Sequence, residues 1–238
     1  MNLPIPNRRA AGRTLAAFLE SYQDQGNVLV LALSKDAVPV AYEIATGLGA
    51  GLDLYLVREL ACPDNGGVSL GAVVSGNIPV LNDGMLQEYP IGKPRLGEET
   101  RRQQQVLDTQ EQALRGDRPR PELKGRCVIL VDDCLEHGGM VRAAARVLRD
   151  QDVARLLIAV PVAPTRVMDE LQAISDEIAY IATQEPFLGI DWWYEDARPV
   201  PEDEARELLG RIPPDSWTSS LGVAGSGSHL PLSGSPAL

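Results

Sequence analysis

The sequence predicts an α/β fold: a twisted, mainly parallel sheet with helices on both faces and a small hood or hairpin region beside it. Short continuous apolar runs at residues 28–33, 128–131 and 156–160 are bounded by turn signals. Runs of this length and composition read as strands buried on both faces, as in parallel sheets. Helical patterns alternate with them, the arrangement that generates β-α-β units. The most informative stretch, residues 128–141, reads Val-Ile-Leu-Val-Asp132-Asp133-Cys-Leu-Glu136-His137-Gly138-Gly139-Met140-Val. An apolar strand runs into two carboxylates, then a glycine-bearing loop, then an Arg/Ala/Leu helix. The loop after such a strand lies at its carboxyl end, where open α/β sheets bind ligands.

Each element has its own local signal. Leu15, Phe18, Leu19 and Tyr22 recur at helical spacing, so residues 8–24 form an amphipathic helix. Residues 28–33 are a strand, 34–37 a turn, and 38–48 a helix ended by Gly49. Residues 52–57 are a second buried strand, closing a β-α-β unit that is right-handed by default. The glycines at 47, 49 and 51 lie at a helix end and before a strand, the wrong order for a dinucleotide fingerprint. Residues 61–69 read as a polar, glycine-bearing loop, and 71–75 with 78–81 as a hairpin joined at Gly76-Asn77. Residues 98–115 are a long, mostly exposed helix whose charge run is a solvated face. After the strand at 128–131 come a helix at 141–149, a strand at 156–160, a helix at 166–174 and a strand at 177–182. Pro201 opens a last helix with Glu202, Asp203 and Glu204 in its first turn, matching the helix dipole. From Ile212 the chain turns to Pro, Ser and Gly, the composition of a disordered tail.

Composition narrows the function classes. The chain has 238 residues, 44% hydrophobic and 23% charged, which suits one globular domain with a sizeable core. Its net charge of −11 argues against a nucleic-acid partner, which needs a basic footprint. No apolar stretch approaches the ~18 residues that span a bilayer, so no membrane partner is expected. The first 13 residues lack an apolar core, so no signal peptide is read there. Cys62, Cys127 and Cys134 show no paired spacing and no histidine partner set, which points to a reduced, cytoplasmic compartment without structural zinc. With only His137 and His229, neither a Ser-His-Asp arrangement nor a metal-ligand set competes with the acidic pair.

The stretch at 128–141 resembles the phosphoribosyl-diphosphate (PRPP) signature of type I phosphoribosyltransferases: four hydrophobics, two acids, three variable residues, then Thr-Gly-x-Thr. Here that tetrad is His137-Gly138-Gly139-Met140, so the acids and a glycine are kept and both hydroxyls are replaced. The likeness continues through Val30-Leu-Ala-Leu-Ser-Lys-Asp-Ala-Val-Pro-Val-Ala, similar to the family's strand and diphosphate loop, which usually reads Pro-Arg-Gly-Gly before Val-Pro-Val. Leu54-Tyr-Leu-Val-Arg58-Glu59-Leu is similar to its next strand, where a Lys commonly follows the Arg. Gly71-Ala72, Val80-Leu-Asn82, Pro186-Phe187 and Trp193-Tyr194-Glu195-Asp196 match later segments. The resemblance implies a type I phosphoribosyltransferase-like domain over residues 1–211, with 212–238 as the tail.

The resemblance also implies roles. Asp132 and Asp133 would lie on the ribose hydroxyls; the plainer alternative is that they only mark a turn and helix start. The 5-phosphate would sit over the backbone N–H groups of Leu135, Glu136, His137, Gly138, Gly139 and Met140, backed by the helix dipole. A hydrogen bond to a charged group contributes on the order of 1.5–3 kcal/mol, so losing two hydroxyls weakens such a site ~100-fold or more. His137 could restore one donor, or be a surface histidine with no special task. At the diphosphate loop, Lys35 would stand in for arginine as a point charge, while Asp36 and Ala37 replace glycines, Asp36 with the wrong sign. Arg58 matches a basic position, or serves only a structural ion pair, and Glu59 replaces a cation. The loop at 61–69 would be a mobile lid. Phe187 or Trp193 could stack a base or pack the core. Cys134 could be a reactive thiol or a small filler. Mg²⁺ would be bound with PRPP.

Two functions stay open. One is a Mg²⁺-dependent glycosyltransferase of nucleotide metabolism, moving ribose 5-phosphate from PRPP to a nitrogenous acceptor. The other is a degenerate active site that binds a sugar phosphate, nucleotide or phosphometabolite for regulation. A homo-oligomer, and a protein partner held through the C-terminal tail, are open as well.

Overall fold

The computed structural model describes residues 3–213. The expected tail falls almost wholly outside the described residues, Trp217 and His229 included. Ile212, placed in the tail by composition, packs against the core, and its carbonyl accepts from Arg118 Nη2 at 3.0 Å.

The five fully parallel strands are β1 (Val28–Ala32), β2 (Gly51–Leu54), β6 (Cys127–Val131), β7 (Arg155–Ala163) and β8 (Glu177–Thr183), in the order β2-β1-β6-β7-β8. Alternate side chains of the buried strands feed two cores. Val30, Ile129 and Leu157 face one side, with Leu15 and Leu19 from α1 (Arg8–Phe18) and the residue after it, Ile44 of α2 (Val38–Leu48) and Leu208 of α7 (Glu202–Gly210). Leu31, Leu130 and Ile158 face the other, with Val147 and Leu148 of α5 (Gly139–Arg149) and Leu171 of α6 (Thr165–Ile174). Burial on both faces is why these strands read as continuous apolar runs rather than alternating ones. Gly49 ends α2 in the left-handed region at φ 63°, as its sequence position implies.

A second, antiparallel sheet holds β3 (Val57–Cys62), β4 (Asn65–Val74) and β5 (Ile78–Leu81) in the order β3-β4-β5. It corrects two expectations. The strand at 52–57 is really the end of β2 and the start of β3, because the chain leaves the parallel sheet at Tyr55-Leu56. The amides of Tyr55 and Val57 still donate to Ala32 O and Leu33 O, so the apolar run is unbroken although the sheet changes. The segment at 61–69 is not a loop but most of a hairpin, with Cys62 paired to Asn65 and Ala61 to Ser69. Its glycines hide the alternation that would have marked a strand, and the partner strand supplies the hydrogen bonds the local sequence does not advertise.

Helix α3 (Asp83–Glu88), capped by the Asn82 side chain accepting from Met85 N at 3.2 Å, has no counterpart among the elements the sequence predicts. Helix α4 (Lys93–Arg115) starts five residues earlier than its charge pattern suggests, at a proline in its first turn. Nor is its polar surface all solvated. Gln103, Glu111 and Arg115 are buried; Arg115 Nη1 bonds Asp53 Oδ1 at 2.6 Å, and Glu111 accepts from Ser75 and Arg120. Helix α1 is shorter than expected, closing into a turn of 3₁₀ helix at Glu20–Tyr22. Among the described residues no helix is long and apolar enough to cross a membrane.

Candidate functional site

The strand order reverses direction at β1 and β6. The loop after β1 leads to α2 on one face, and the loop after β6 leads to α5 on the other. A crevice must open between two such loops at the strands' carboxyl ends. It does: a cleft of about 810 Å³ is lined by Asp36 after β1, by residues 132–143 and Arg146, by Val80, Leu81 and Asn82 of the second sheet and its exit, and by Phe187, Ile190 and Pro199 near the C-terminal segment.

Asp132 and Asp133 form its floor, only 4% and 7% exposed. Asp132 Oδ1 accepts from Ser34 Oγ at 3.3 Å and from the Asp133 amide at 3.1 Å. Asp133 Oδ2 accepts from Arg8 Nε at 2.8 Å, and its carbonyl accepts from the Tyr194 hydroxyl at 2.8 Å. Arg8 also donates through Nη1 to Arg198 O at 2.7 Å and lies over the Tyr194 ring at 5.6 Å. The N-terminal helix and the C-terminal segment are thus both pinned to the acidic pair. Burial first, and the neighbouring Asp133 second, hold the Asp132 carboxyl well above the usual carboxylate range. Burial raises Asp133 as well, opposed by the Arg8 guanidinium. Two adjacent buried acids resist carrying two charges, and the Arg8 guanidinium opposes the rise at Asp133 alone.

Beyond the acids, Gly138 takes the left-handed conformation (φ 66°, ψ −2°) that turns the chain into α5. Among the described residues, the main-chain amides of 136–140 donate to no main-chain acceptor, leaving a row of free N–H groups at a helix N-terminus. Leu135 stands apart: its amide donates to Val162 O at 3.0 Å and its side chain is buried in the core. His137 and Met140 are both exposed on the cleft wall.

The other expected residues separate. Asp36 lines the cleft, yet its Oδ1 accepts from the Val200 amide at 2.6 Å, tying the loop to the C-terminal segment. Lys35, Ala37 and Arg58 are not on the cleft wall. Ala37 is buried in the core, and Arg58 Nε donates to Gln103 Oε1 at 3.3 Å. Trp193 is a core residue at 2% exposure; Phe187, on the cleft wall, stacks on it at 6.3 Å. Burial first, then the adjacent carboxylates, push the Cys134 thiol up, which disfavours the thiolate that a reactive cysteine needs.

Three residues that local reasoning missed line the cleft: Arg8, Arg142 and Arg146. Arg142 Nη1 lies 3.1 Å from where a Cβ on Gly138 would be, so its guanidinium flanks the nest, held by Glu170 at 2.5 Å. The helical pattern of α5 could have placed Arg142 and Arg146 on one face, four residues apart. Arg8 had no local signal at all. The cleft sets six carboxylates (Asp36, Glu59, Asp83, Asp132, Asp133 and Glu136) against these three guanidinium groups. No cluster of three metal-ligating side chains occurs among the described residues.

Comparison with known proteins agrees with this architecture. The family model described as "Phosphoribosyl transferase domain" matches residues 3–176. Two Mycobacterium tuberculosis proteins, from strains CDC 1551 / Oshkosh and H37Rv and each named "Putative phosphoribosyl transferase", are 30% identical over 205 residues, 86% of this chain. The chain spans about half the length (46%) of these curated relatives. The crystal structure of TT1426 from Thermus thermophilus superposes with a TM-score of 0.76 at 31% identity, covering 89% of this chain and 100% of that one. With its family model matched over most of the chain and its acidic pair on the floor of the expected crevice, the chain belongs to the phosphoribosyl transferase domain family.

Proposed function

We propose that this cleft binds a 5-phosphorylated ribose and, with PRPP and Mg²⁺, transfers the phosphoribosyl group to a nitrogenous acceptor. One observation carries the reading: an open row of amides at the start of α5 shares a cleft with the buried Asp132–Asp133 pair. The amides of 136–140, the α5 dipole and Arg142 hold the 5-phosphate. The ribose hydroxyls fall on the acidic floor. In transfer, the bond from C1 to the diphosphate oxygen breaks and a bond from C1 to the acceptor nitrogen forms. Positive charge develops on the ribose meanwhile, and fixed carboxylates around it favour that state. Arg142 replaces as charge part of what the missing threonine hydroxyls would give as donors.

Mg²⁺ fits the donor set as an ion that arrives on the diphosphate. The wall offers hard carboxylate oxygens from Asp36, Glu59 and Asp83 rather than a closed protein cage, which is how Mg²⁺ is commonly held. When bound, it would neutralise diphosphate charge.

The surplus of carboxylates, and the removal of Lys35 and Arg58 from the wall, favour a second reading. In it the cleft retains a nucleotide or phosphometabolite for regulation without turning it over, since one scaffold supports either role. Calorimetry with PRPP and Mg²⁺, paired with a diphosphate-release assay with nucleobases, separates the two. Micromolar binding that Asp132→Asn/Asp133→Asn abolishes, with diphosphate release, supports transfer. Binding without release supports the regulatory reading, no heat at millimolar PRPP overturns transfer, and no heat with PRPP, ribose 5-phosphate or a nucleoside monophosphate overturns both.

A further inference from the structure

We propose that the outer edge of β8 is a homodimer surface, on which two copies of this chain pair β8 with β8 antiparallel about a twofold axis at Tyr180.

The two edges of the parallel sheet differ. Along β2 the chain closes its own edge: Arg115 Nη2 donates to Leu54 O at 3.0 Å and Arg118 Nη2 to Leu52 O at 3.4 Å. Along β8 nothing comparable occurs among the described residues. The strand bonds to β7 on one side, and the peptide groups of 178–183 that face away from β7 meet no protein donor or acceptor there. Exposed edges are commonly blunted by charge, proline or a bulge, because their N–H and C=O groups template another strand. Residues 178–183 read Ile-Ala-Tyr-Ile-Ala-Thr, with neither charge nor proline, and Tyr180 is 43% exposed.

This edge is complementary to itself. With Tyr180 opposite Tyr180, Ile178 falls opposite Ala182 and Ala179 opposite Ile181, so large meets small. Glu177 faces Thr183. All seven strand residues then have a partner, and no charge meets its like. Moving the axis one residue towards the C-terminus sets Glu177 against Glu185. Moving it one residue the other way sets Asp176 and Glu177 against Ala182 and Ile181.

Helix α1 fits the same axis. It lies over β7 and β8, while α2 on its inner flank lies over β1 and β2. Just past α1, the Tyr22 hydroxyl donates to Glu177 Oε2 at the start of β8, at 2.5 Å. Ala16 packs on Gly47 of α2. Phe18, about 200° further round the helix, therefore points away from α2 towards the β8 edge, and it is 55% exposed. Beside it runs a groove of about 740 Å³ whose lining includes Pro4, Pro6, Ala10 and Ala17. Strands in a sheet stand about 4.8 Å apart. A helix seated over both β7 and β8 thus lies about 5 Å from the proposed axis, and its twofold copy about 10 Å away, where helices pack. Antiparallel pairing brings Phe18 of each copy to the Pro6–Ala10 end of the other copy's groove.

Multi-angle light scattering on the full chain at micromolar concentration should give twice the 25.7 kDa of one chain. Tyr180→Lys sets two ammonium groups against each other at the axis, and should return the mass to one chain with unchanged far-ultraviolet dichroism. Phe18→Glu should weaken the dimer about tenfold or more. Tyr180→Cys keeps the test decisive if the lysine variant misfolds. Directly opposed residues lie about 4.5–5.5 Å apart, within the span of a disulfide. Diamide should cross-link Tyr180→Cys into dimers. Asp176→Cys and Gln184→Cys, which oppose each other rather than themselves, should stay single, as should the unmodified chain, whose described cysteines are buried or half-buried. A single-chain mass for the unmodified protein overturns the proposal, whether the edge is bare or covered by residues beyond 213. So does a double mass that folded Tyr180→Lys retains, a mass that keeps growing with concentration, or cross-linking no greater at Tyr180→Cys than in the controls.

Discussion

Two neighbouring glycines at the start of α5 should behave in opposite ways when each is given a methyl group. At Gly138 the backbone is left-handed at φ 66°, and a Cβ would sit 2.5 Å from Val167 Cγ1 and 3.1 Å from Arg142 Nη1. The left-handed conformation costs an L-residue about 1–2 kcal/mol. Forcing the methyl against Val167, a stiff β-branched core residue, adds about 1–3 kcal/mol. The sum is about 2–5 kcal/mol, which for a chain of this size lowers the melting temperature by at least about 4 °C. At Gly139 the backbone is helical and the nearest atom, Arg142 Nη2, is 3.8 Å from a Cβ. Alanine there should be neutral or stabilising by up to about 1 kcal/mol. That methyl meets the Arg142 guanidinium beside the amide row, however, and should weaken ribose 5-phosphate binding about tenfold by displacing one charge-assisted hydrogen bond. Thermal melts of Gly138→Ala and Gly139→Ala, paired with calorimetry against ribose 5-phosphate, test both halves. An unshifted melt for Gly138→Ala, or a Gly139→Ala protein that loses stability and keeps its affinity, would refute the geometry.

The same structure sets three other outcomes. Restoring hydroxyls with His137→Thr/Met140→Thr should raise ribose 5-phosphate affinity about tenfold or more per donor, read by calorimetry; no gain would mean that neither position faces the phosphate. Asp132 is held above its unfolded pKa by burial and by Asp133, so the unfolded chain releases this proton first as pH rises. The contribution of Asp132 to stability is therefore full below the usual carboxylate range and is lost as pH climbs through the folded value. Asp132→Asn should raise the melting temperature at pH 8 by about 2 °C or more and leave it little changed at pH ~3.5; the reverse order contradicts the assignment. Arg115→Met strands the buried Asp53, whose partner at 2.6 Å is lost, and should cost about 3–5 kcal/mol in urea denaturation. A loss under about 1 kcal/mol would show that the pair does not tie α4 to β2.

How much of this was legible depended on the range of the interaction. The acidic pair, the glycines after it and the helix beyond lie within one short stretch, so strand, turn and anion nest could be read together from residues 128–141. The continuous apolar runs showed strands buried on both faces, and Gly49 announced the end of α2 because its left-handed cap is a local demand. The hairpin at 57–74 was missed because β-pairing is decided by the partner strand. Helix α4 was misjudged in its buried polar seam, since Glu111 and Arg115 look solvated until Ser75 and Asp53 are brought to them.

By itself, then, the sequence determined the parallel sheet, the acids at a strand's end and the loss of two hydroxyls, all features of periodicity or contiguity. Only the tertiary structure decided which charges enter the cleft. It brought Arg8 across 125 residues of chain to Asp133, turned Arg142 towards the glycines, and kept Asp36 on the wall, tied to Val200, while leaving Lys35 and Arg58 off it. Long-range pairing is set by how helices and segments pack on a sheet, and no local pattern encodes it.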